Sequence, residues 1–211
     1  MEAATGNATR RRMPAADRRE AILAAALDVF ARGGYHETSL ESVAARAGIS
    51  KALIYEHFAS KRELHRALLD RYVHELLATV LEATGGAEPG AERLRAGADA
   101  FLRFVESNRD AWRMVFRNVA DPELASWLDR LREEVALAIE AIMTADAPAE
   151  LVADAPGEIE MVAHQLSGAV QALATWWDAH REVPRERVLE TLMDFAWVGL
   201  ERLSEGRRWT G

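Results

Sequence analysis

The stretch from Thr38 to Leu64, TSLESVAARAGISKALIYEHFASKREL, constrains this 211-residue chain more than any other, because its punctuation spells out three short helices. Thr38 and Glu41 have the Thr-x-x-Glu spacing of a capping box, which satisfies two orphan N–H groups where a helix begins. Leu40, Val43, Ala44 and Ala47 then follow at i, i+3, i+4 and i+7, one apolar stripe on a short helix. Gly48 stands where a chain leaving a helix needs positive φ, and Ser50 is placed to cap a second helix. There Ile54 and Phe58 point inward at i, i+4, leaving Lys51, Ala52, Leu53, Tyr55 and His57 on the other side. Ser60 and Glu63 have the spacing of another capping box, so a third helix begins at Lys61 with Leu64 and Leu68 as its first core contacts. Helix, four-residue turn and helix make a helix-turn-helix, although spacing alone fits an amphipathic hairpin inside an ordinary bundle equally well.

The outward set on the second helix suits a reader of DNA. Lys51 and Tyr55 can donate to phosphate oxygens, and small Ala52 lets the backbone approach base edges. A net charge of −8 argues against nucleic-acid binding until its distribution is considered. Residues 9–66 hold eleven Lys or Arg against seven Asp or Glu, a net +4 that leaves −12 for the remainder. A basic head on an acidic body is the footprint expected when one end meets DNA.

From Arg19 to Leu64, about a quarter of the chain, the sequence resembles the N-terminal domain of the TetR family of transcriptional regulators. The matching residues run without gaps through Arg19, Ile22, Leu23, Ala25, Ala26, Phe30, Gly34, Tyr35, Thr38, Ser39, Val43, Ala44, Ala47 and Gly48. They continue through Ile49, Ser50, Lys51, Ile54, Tyr55, His57, Phe58, Ser60, Lys61 and Leu64. The resemblance implies that the helix from Ser50 to Phe58 enters the major groove. By the match to the family's motif, Thr38, Ser39, Tyr55, His57 and Lys61 go to phosphates, with Lys51, Ala52 and Leu53 nearest the bases. Leu53 departs from the small polar residue common there and Glu56 brings a carboxylate near the backbone, which leaves the base preference open.

The rest of the chain reads as helices, with no alternating strand pattern and no glycine-rich phosphate loop. The expected fold is all-α: a basic arm over residues 1–15 carrying Arg10, Arg11 and Arg12, a three-helix head over 16–62, and a larger helical body over 63–211. Asp17 is placed to cap the first helix, and Gly33 with Gly34 to end it. A long helix from Lys61 to about Ala83, apolar almost all round, is the natural lever between head and body, and the loop TGGAEPG at 84–90 is the best candidate for a domain boundary. Helices are expected over 91–107 and from Asn108 or Asp110; Asp121 with Pro122 opens another to about Met143, and residues 144–157 read as a loop. Two helices, 158–180 and 184–204, close the chain and should pair antiparallel. Gly168 and Gly199 within them imply close helix approach, since glycine there costs about 1 kcal/mol against alanine. The family resemblance implies that these two helices form a homodimer interface; an intramolecular core is the alternative.

The chain carries no catalytic signature: the six histidines lack metal-ligand spacing, and neither nucleophile elbow, Walker loop nor dinucleotide fingerprint occurs. No catalytic residue, metal or cofactor is expected. A ligand-binding body fares better, since it is rich in aromatics suited to a mostly apolar pocket; the candidates are Phe104, Trp112, Phe116, Trp127 and Trp176, with the polar His164 and Gln165 for orientation. Each is also a plausible core residue. No apolar run approaches a membrane span, the opening lacks a secretory signal, and cysteine is absent, so a cytoplasmic protein is expected. The reading is a dimeric repressor on a palindromic double-stranded DNA operator, released by an unknown small apolar or aromatic effector. The alternatives are a helix-turn-helix regulator with no ligand, and a helical small-molecule-binding protein or enzyme in which the helix-turn-helix is only structural.

Overall fold

In the computed structural model, residues 14–116, 122–154 and 157–204 are described. Among them the chain forms helices and no strand: α1 (Ala15–Gly33), α2 (Leu40–Ala47), α3 (Lys51–His57), α4 (Lys61–Gly85), α5 (Ala91–Ser107), α6 (Arg109–Phe116), α7 (Pro122–Asp146), α8 (Ala149–Asp154), α9 (Glu158–Ala179) and α10 (Arg185–Ser204). The arginines at 10–12 and the cap expected at Asp121 lie outside the described residues. The chain divides into two compact units, the first ending at Leu68 and the second beginning at Leu69. The division falls inside α4, between two fully buried leucines, and not at the glycine-rich loop.

In the first unit α1 begins after Pro14, and Asp17 sits in its first turn, where a carboxylate complements the helix dipole, instead of capping it. Ile22, Leu23, Ala26 and Phe30 form the buried face, and Gly34, at φ 69°, ends the helix. The cap of α2 differs from expectation. The Thr38 hydroxyl is taken up in donating to the carbonyls of Gly34 (3.0 Å) and Tyr35 (3.2 Å). Ser39 caps instead, accepting from the Ser42 N–H at 3.1 Å while the Ser42 hydroxyl oxygen accepts from the Ser39 N–H at 3.2 Å. The reciprocal box is therefore shifted by one residue.

Gly48 adopts the left-handed conformation (φ 68°, ψ 31°), and its N–H and that of Ile49 bond back to Ala45 and Ala44, the Schellman pattern. Ser50 caps α3 by accepting from Leu53 N–H at 3.2 Å. Ser60 accepts from Glu63 N–H at 3.1 Å, and the Glu63 carboxylate returns to Ala59 N–H at 2.8 Å rather than to that of Ser60.

In the second unit α5 packs on α10 and α7 on α9. Leu102, Val105, Trp177, Val188, Leu189 and Leu192 form the α5–α9–α10 core. The closing helices do touch, and Trp177 N–H donates to the Val183 carbonyl at 2.8 Å across their turn. Their principal partners are nevertheless α7 and α5, so the expected two-helix hairpin is only a minor contact. The segment at 144–157 is not wholly loop: α7 continues to Asp146 and α8 follows, its Ala-, Glu- and Leu-containing sequence being a good helix former once Pro148 has started the turn.

Glycine spacing was similarly half informative. A Cβ on Gly97 would lie 2.9 Å from Thr84 Cγ2, so Gly97 marks the close approach of α5 to α4. Gly168 and Gly199 meet nothing of the same chain within 4 Å and are exposed. No helix of the described residues is long and apolar enough to cross a membrane.

Candidate nucleic-acid interface and an apolar cavity

The caps at Ser39 and Ser50, with the Gly48 turn between them, fix α2 and α3 as a pair, while Ile54 and Phe58 anchor α3 from beneath. Ser39, Ser50, Lys51, Ala52, Tyr55 and Glu56 are exposed, and Thr38, Leu53, His57 and Lys61 are half-buried. The outer side of α3 and the start of α2 thus present most of the residues assigned to DNA on one small unit.

Their donors are already engaged. Lys51 Nζ lies 2.6 Å from Glu41 Oε1, and the Tyr55 hydroxyl donates to the same oxygen at 3.4 Å. The Lys51 ammonium is the main reason the Glu41 carboxyl titrates well below the ordinary glutamate range, at about 2. Lys61 is committed differently. Its ammonium donates to the carbonyls of Tyr35 (2.8 Å), Thr38 (2.9 Å) and His36 (3.3 Å) and lies 4.5 Å from the centre of the Tyr35 ring. It pins the turn between α1 and α2 from 23 or more residues away along the chain. Sequence spacing could not have paired Glu41 with Lys51, which stand ten residues apart on two helices.

The second unit holds a partly open cavity of about 550 Å³. Its walls come from α4 (Tyr72, Leu76, Val80), α5 (Phe101, Phe104), α6 (Trp112, Phe116), α7 (Val135, Ile139, Met143) and α9 (Val162, Leu166, Val170). Of the aromatic and polar residues singled out from the sequence, Phe104, Trp112 and Phe116 line it; Trp112 packs edge-on to Phe101 at 5.6 Å and beside Phe116 at 4.2 Å. Trp127, His164, Gln165 and Trp176 do not line it. Trp127 N–H instead donates to the Asp70 carboxylate at 2.9 Å, tying α7 to α4. His164 is exposed, 3.8 Å from Glu133; Gln165 is exposed, and half-exposed Trp176 stacks on His180 at 4.1 Å.

The aliphatic lining on α4, α7 and α9 escaped the sequence reading, which weighed aromatics. The signal was present in α4, whose apolar residues spread too widely round its surface for a single interface.

At one end of the cavity Arg93 and Asp146 form an ion pair. Arg93 also donates to the Ala87 carbonyl at 3.0 Å, and Asp146 accepts from Gly90 N–H at 3.1 Å, so α5, α7 and the loop after α4 are knotted together there. Among the described residues no three carboxylate or imidazole groups converge as a metal site would require.

Comparison with known proteins settles the class. Residues 22–68 match the model of the bacterial regulatory proteins of the tetR family, and residues 91–199, more than half the chain, match the tetracyclin repressor-like C-terminal domain. The chain belongs to the TetR family of transcriptional regulators. An HTH-type transcriptional activator, FasR, of Mycolicibacterium smegmatis is 32% identical over 95% of this chain and 90% of its own. A DNA-binding transcriptional repressor, TetR, of Mycobacteroides abscessus is 35% identical over 51% of this chain and 63% of its own. A TetR-like regulator from Rhodococcus sp. RHA1 has a crystal structure that superposes with a TM-score of 0.73 at 29% identity, covering 90% of this chain and 99% of that one. TetR-family proteins bind DNA through the helix-turn-helix and act as dimers; they are transcriptional regulators, not enzymes.

Proposed function

We propose that this TetR-family protein is an effector-responsive regulator that reads a palindromic operator as a homodimer, with α3 of each protomer in the major groove. The observation that carries the DNA-reading part is the exposed face of α3, where Lys51, Ala52 and Tyr55 stand together on a capped and internally anchored helix. A two-fold dimer demands half-sites about one helical turn, or a multiple of it, apart. Thr38, Ser39, Tyr55 and His57 are assigned to phosphates and Lys51, Ala52 and Leu53 to the neighbourhood of the bases. Ser50 holds the start of α3, and Lys61 supports the phosphate-facing turn through the three carbonyls it binds.

The dimer interface is assigned to α9 and α10. Phe195 is 72% exposed, and Met161 and Val198 are more than half exposed. Gly168 and Gly199, open on the same two helices, allow a second backbone to come close. Apolar residues exposed this fully on two adjoining helices mark an interaction surface.

The effector is assigned to the cavity and is long and apolar. The lining runs from Tyr72 to Thr84 on α4 and from Glu158 to Gln171 on α9, which at 1.5 Å per residue is roughly 20 Å. A volume of about 550 Å³ drawn out over that length suits an extended, chain-like molecule better than a compact one. Because α4 begins in the first unit and walls the cavity in the second, an effector that favours one setting of α4 can favour or oppose operator binding. Coupling of this kind is typically 1–3 kcal/mol.

The repressor reading and an activator reading share the same DNA-binding step, and FasR and TetR above carry one name each. Deleting the gene in its host and measuring transcription from the promoter it binds separates them: a rise means repression, a fall activation.

Selection of bound sequences from random duplex DNA tests the core of the proposal, with a palindrome as the expected outcome. Binding that is weak and indifferent to sequence would reject it. On the recovered operator, Lys51→Ala is expected to weaken binding by about 1–3 kcal/mol and to relax the preference at the base pairs it faces.

A further inference from the structure

The first unit holds a carboxylate where a DNA-reading surface has least use for one. Glu41 is the second residue of α2, close to half exposed, and its Oε1 is shared by Lys51 Nζ at 2.6 Å and the Tyr55 hydroxyl at 3.4 Å. Both partners lie on the exposed side of α3, and Lys51 Nζ also stands 6.0 Å from the centre of the Tyr55 ring, so the three side chains form one cluster. Ser39, not Thr38, caps α2 and Ser42 completes the box, while Glu41, bonded to its own N–H and to the Ser39 side chain, also reaches across to α3. The other cations on hand do not replace Lys51: Lys61 is turned onto three backbone carbonyls, and Arg46 is paired with Asp28.

We propose that Glu41 is an electrostatic brake on sequence-independent DNA binding, neutralising Lys51 and holding Tyr55 so that a duplex must take both from a carboxylate before its phosphates gain them. The inference rests on the assignment of the α3 face to DNA. Non-specific affinity comes almost wholly from phosphate neutralisation and the counterions it releases. A Lys–Glu pair with no net charge releases none, and after Lys51 swings away the bare Glu41 carboxylate faces the phosphodiester backbone and repels it. Base contacts by Ala52 and Leu53 carry no charge and lie outside this balance, so the brake weighs most on the electrostatic part of the affinity, which is all that a random duplex offers. The consequence is a protein less held by the great excess of non-cognate DNA.

The test is the affinity of the full-length protein for a duplex of random sequence, measured by fluorescence anisotropy from 0.05 to 0.3 M salt, with the parent and Glu41→Gln. The slope of log affinity against log salt is expected to steepen by about 0.9 in the variant, equivalent to roughly eightfold tighter binding at 0.1 M salt when the two lines meet at 1 M. Glu41→Ser should give the same result and guards against glutamine retaining the Tyr55 bond. Glu182→Gln, the same change of net charge made in the second unit, should leave the slope at the parent value. Coincident slopes for parent and both Glu41 variants, each with the parent's helical content, overturn the proposal. So does an equal shift from Glu182→Gln, which would reduce the effect to net charge. A parent protein that binds no duplex at any salt would overturn the DNA assignment itself.

Discussion

Phe195→Asp is expected to convert the protein from two chains to one in light scattering and to weaken operator binding by on the order of 10²–10⁴. The side chain is 72% exposed on α10 with Val198 one turn away, and Met161 is 60% exposed on the neighbouring α9. An aspartate set into an apolar two-fold interface appears twice, once from each protomer. Each copy must be desolvated on entering an apolar contact, and the two like charges meet about the two-fold axis. The fold of the protomer should survive, because the substituted side chain makes so little contact within it, and the melting transition of the monomer tests this. The loss of DNA affinity follows from linkage: two reading helices joined in one particle bind a palindrome with an effective concentration that a single helix lacks. A Phe195→Asp protein that remains dimeric would move the interface elsewhere.

Asp178→Ala is expected to destabilise the second unit by about 3 kcal/mol, enough to lower its melting temperature by roughly 6–12 °C. Asp178 is 10% exposed and accepts a two-pronged bond from Arg113, Nε to Oδ2 and Nη2 to Oδ1, both at 2.7 Å. Arg109 Nη1 stands 3.7 Å from Oδ1, and its guanidinium lies 4.8 Å from the centre of the Trp177 ring. The pair is the main reason the Arg113 guanidinium is held still more firmly in its charged form. Removing the carboxylate leaves Arg109 and Arg113, both largely buried, facing each other with only the exposed Asp110 carboxylate 3.7 Å from Arg113, which costs much more than the ion pair contributed. The double replacement Arg113→Met with Asp178→Leu should recover part of the loss, since an apolar pair of similar size requires no desolvation. Thermal unfolding of the three proteins checks both statements. A melting temperature for Asp178→Ala within 2 °C of the parent would show the cluster to be solvated.

The head was legible in the sequence because its signals are local. The Gly48 exit, the Ser50 cap, and the inward Ile54 and Phe58 each depend on neighbours within a turn or two, and the helix-turn-helix follows from them. The capping box of α2 was displaced by one residue for a reason that is still local but easily hidden: Thr38 and Ser39 offer the same hydroxyl, and only the turn after α1 decides which is free. The body was legible as helices and much less so as a packing. Whether Trp176 or Trp112 lines a cavity depends on which face of α6 or α9 turns inward, and that is set by α5, α7 and α10, far away in sequence. His164 and Gln165 drew notice as polar residues among apolar ones. Their neighbours Met161, Val162 and Leu166 divide between an exposed face and the cavity, so the polar pair lies on the outside of an element that is apolar on two sides.

The helices of the second unit leave a long cavity between them, and a cavity lined by Leu, Val, Ile and aromatic side chains gives up the dispersion contacts a filled core would make. The ligand-free protein is accordingly the softest form of this chain. Any molecule that fills the space stiffens it and raises its melting temperature in proportion to the logarithm of its concentration. A heat-stability screen can therefore rank chemical libraries for the effector proposed above.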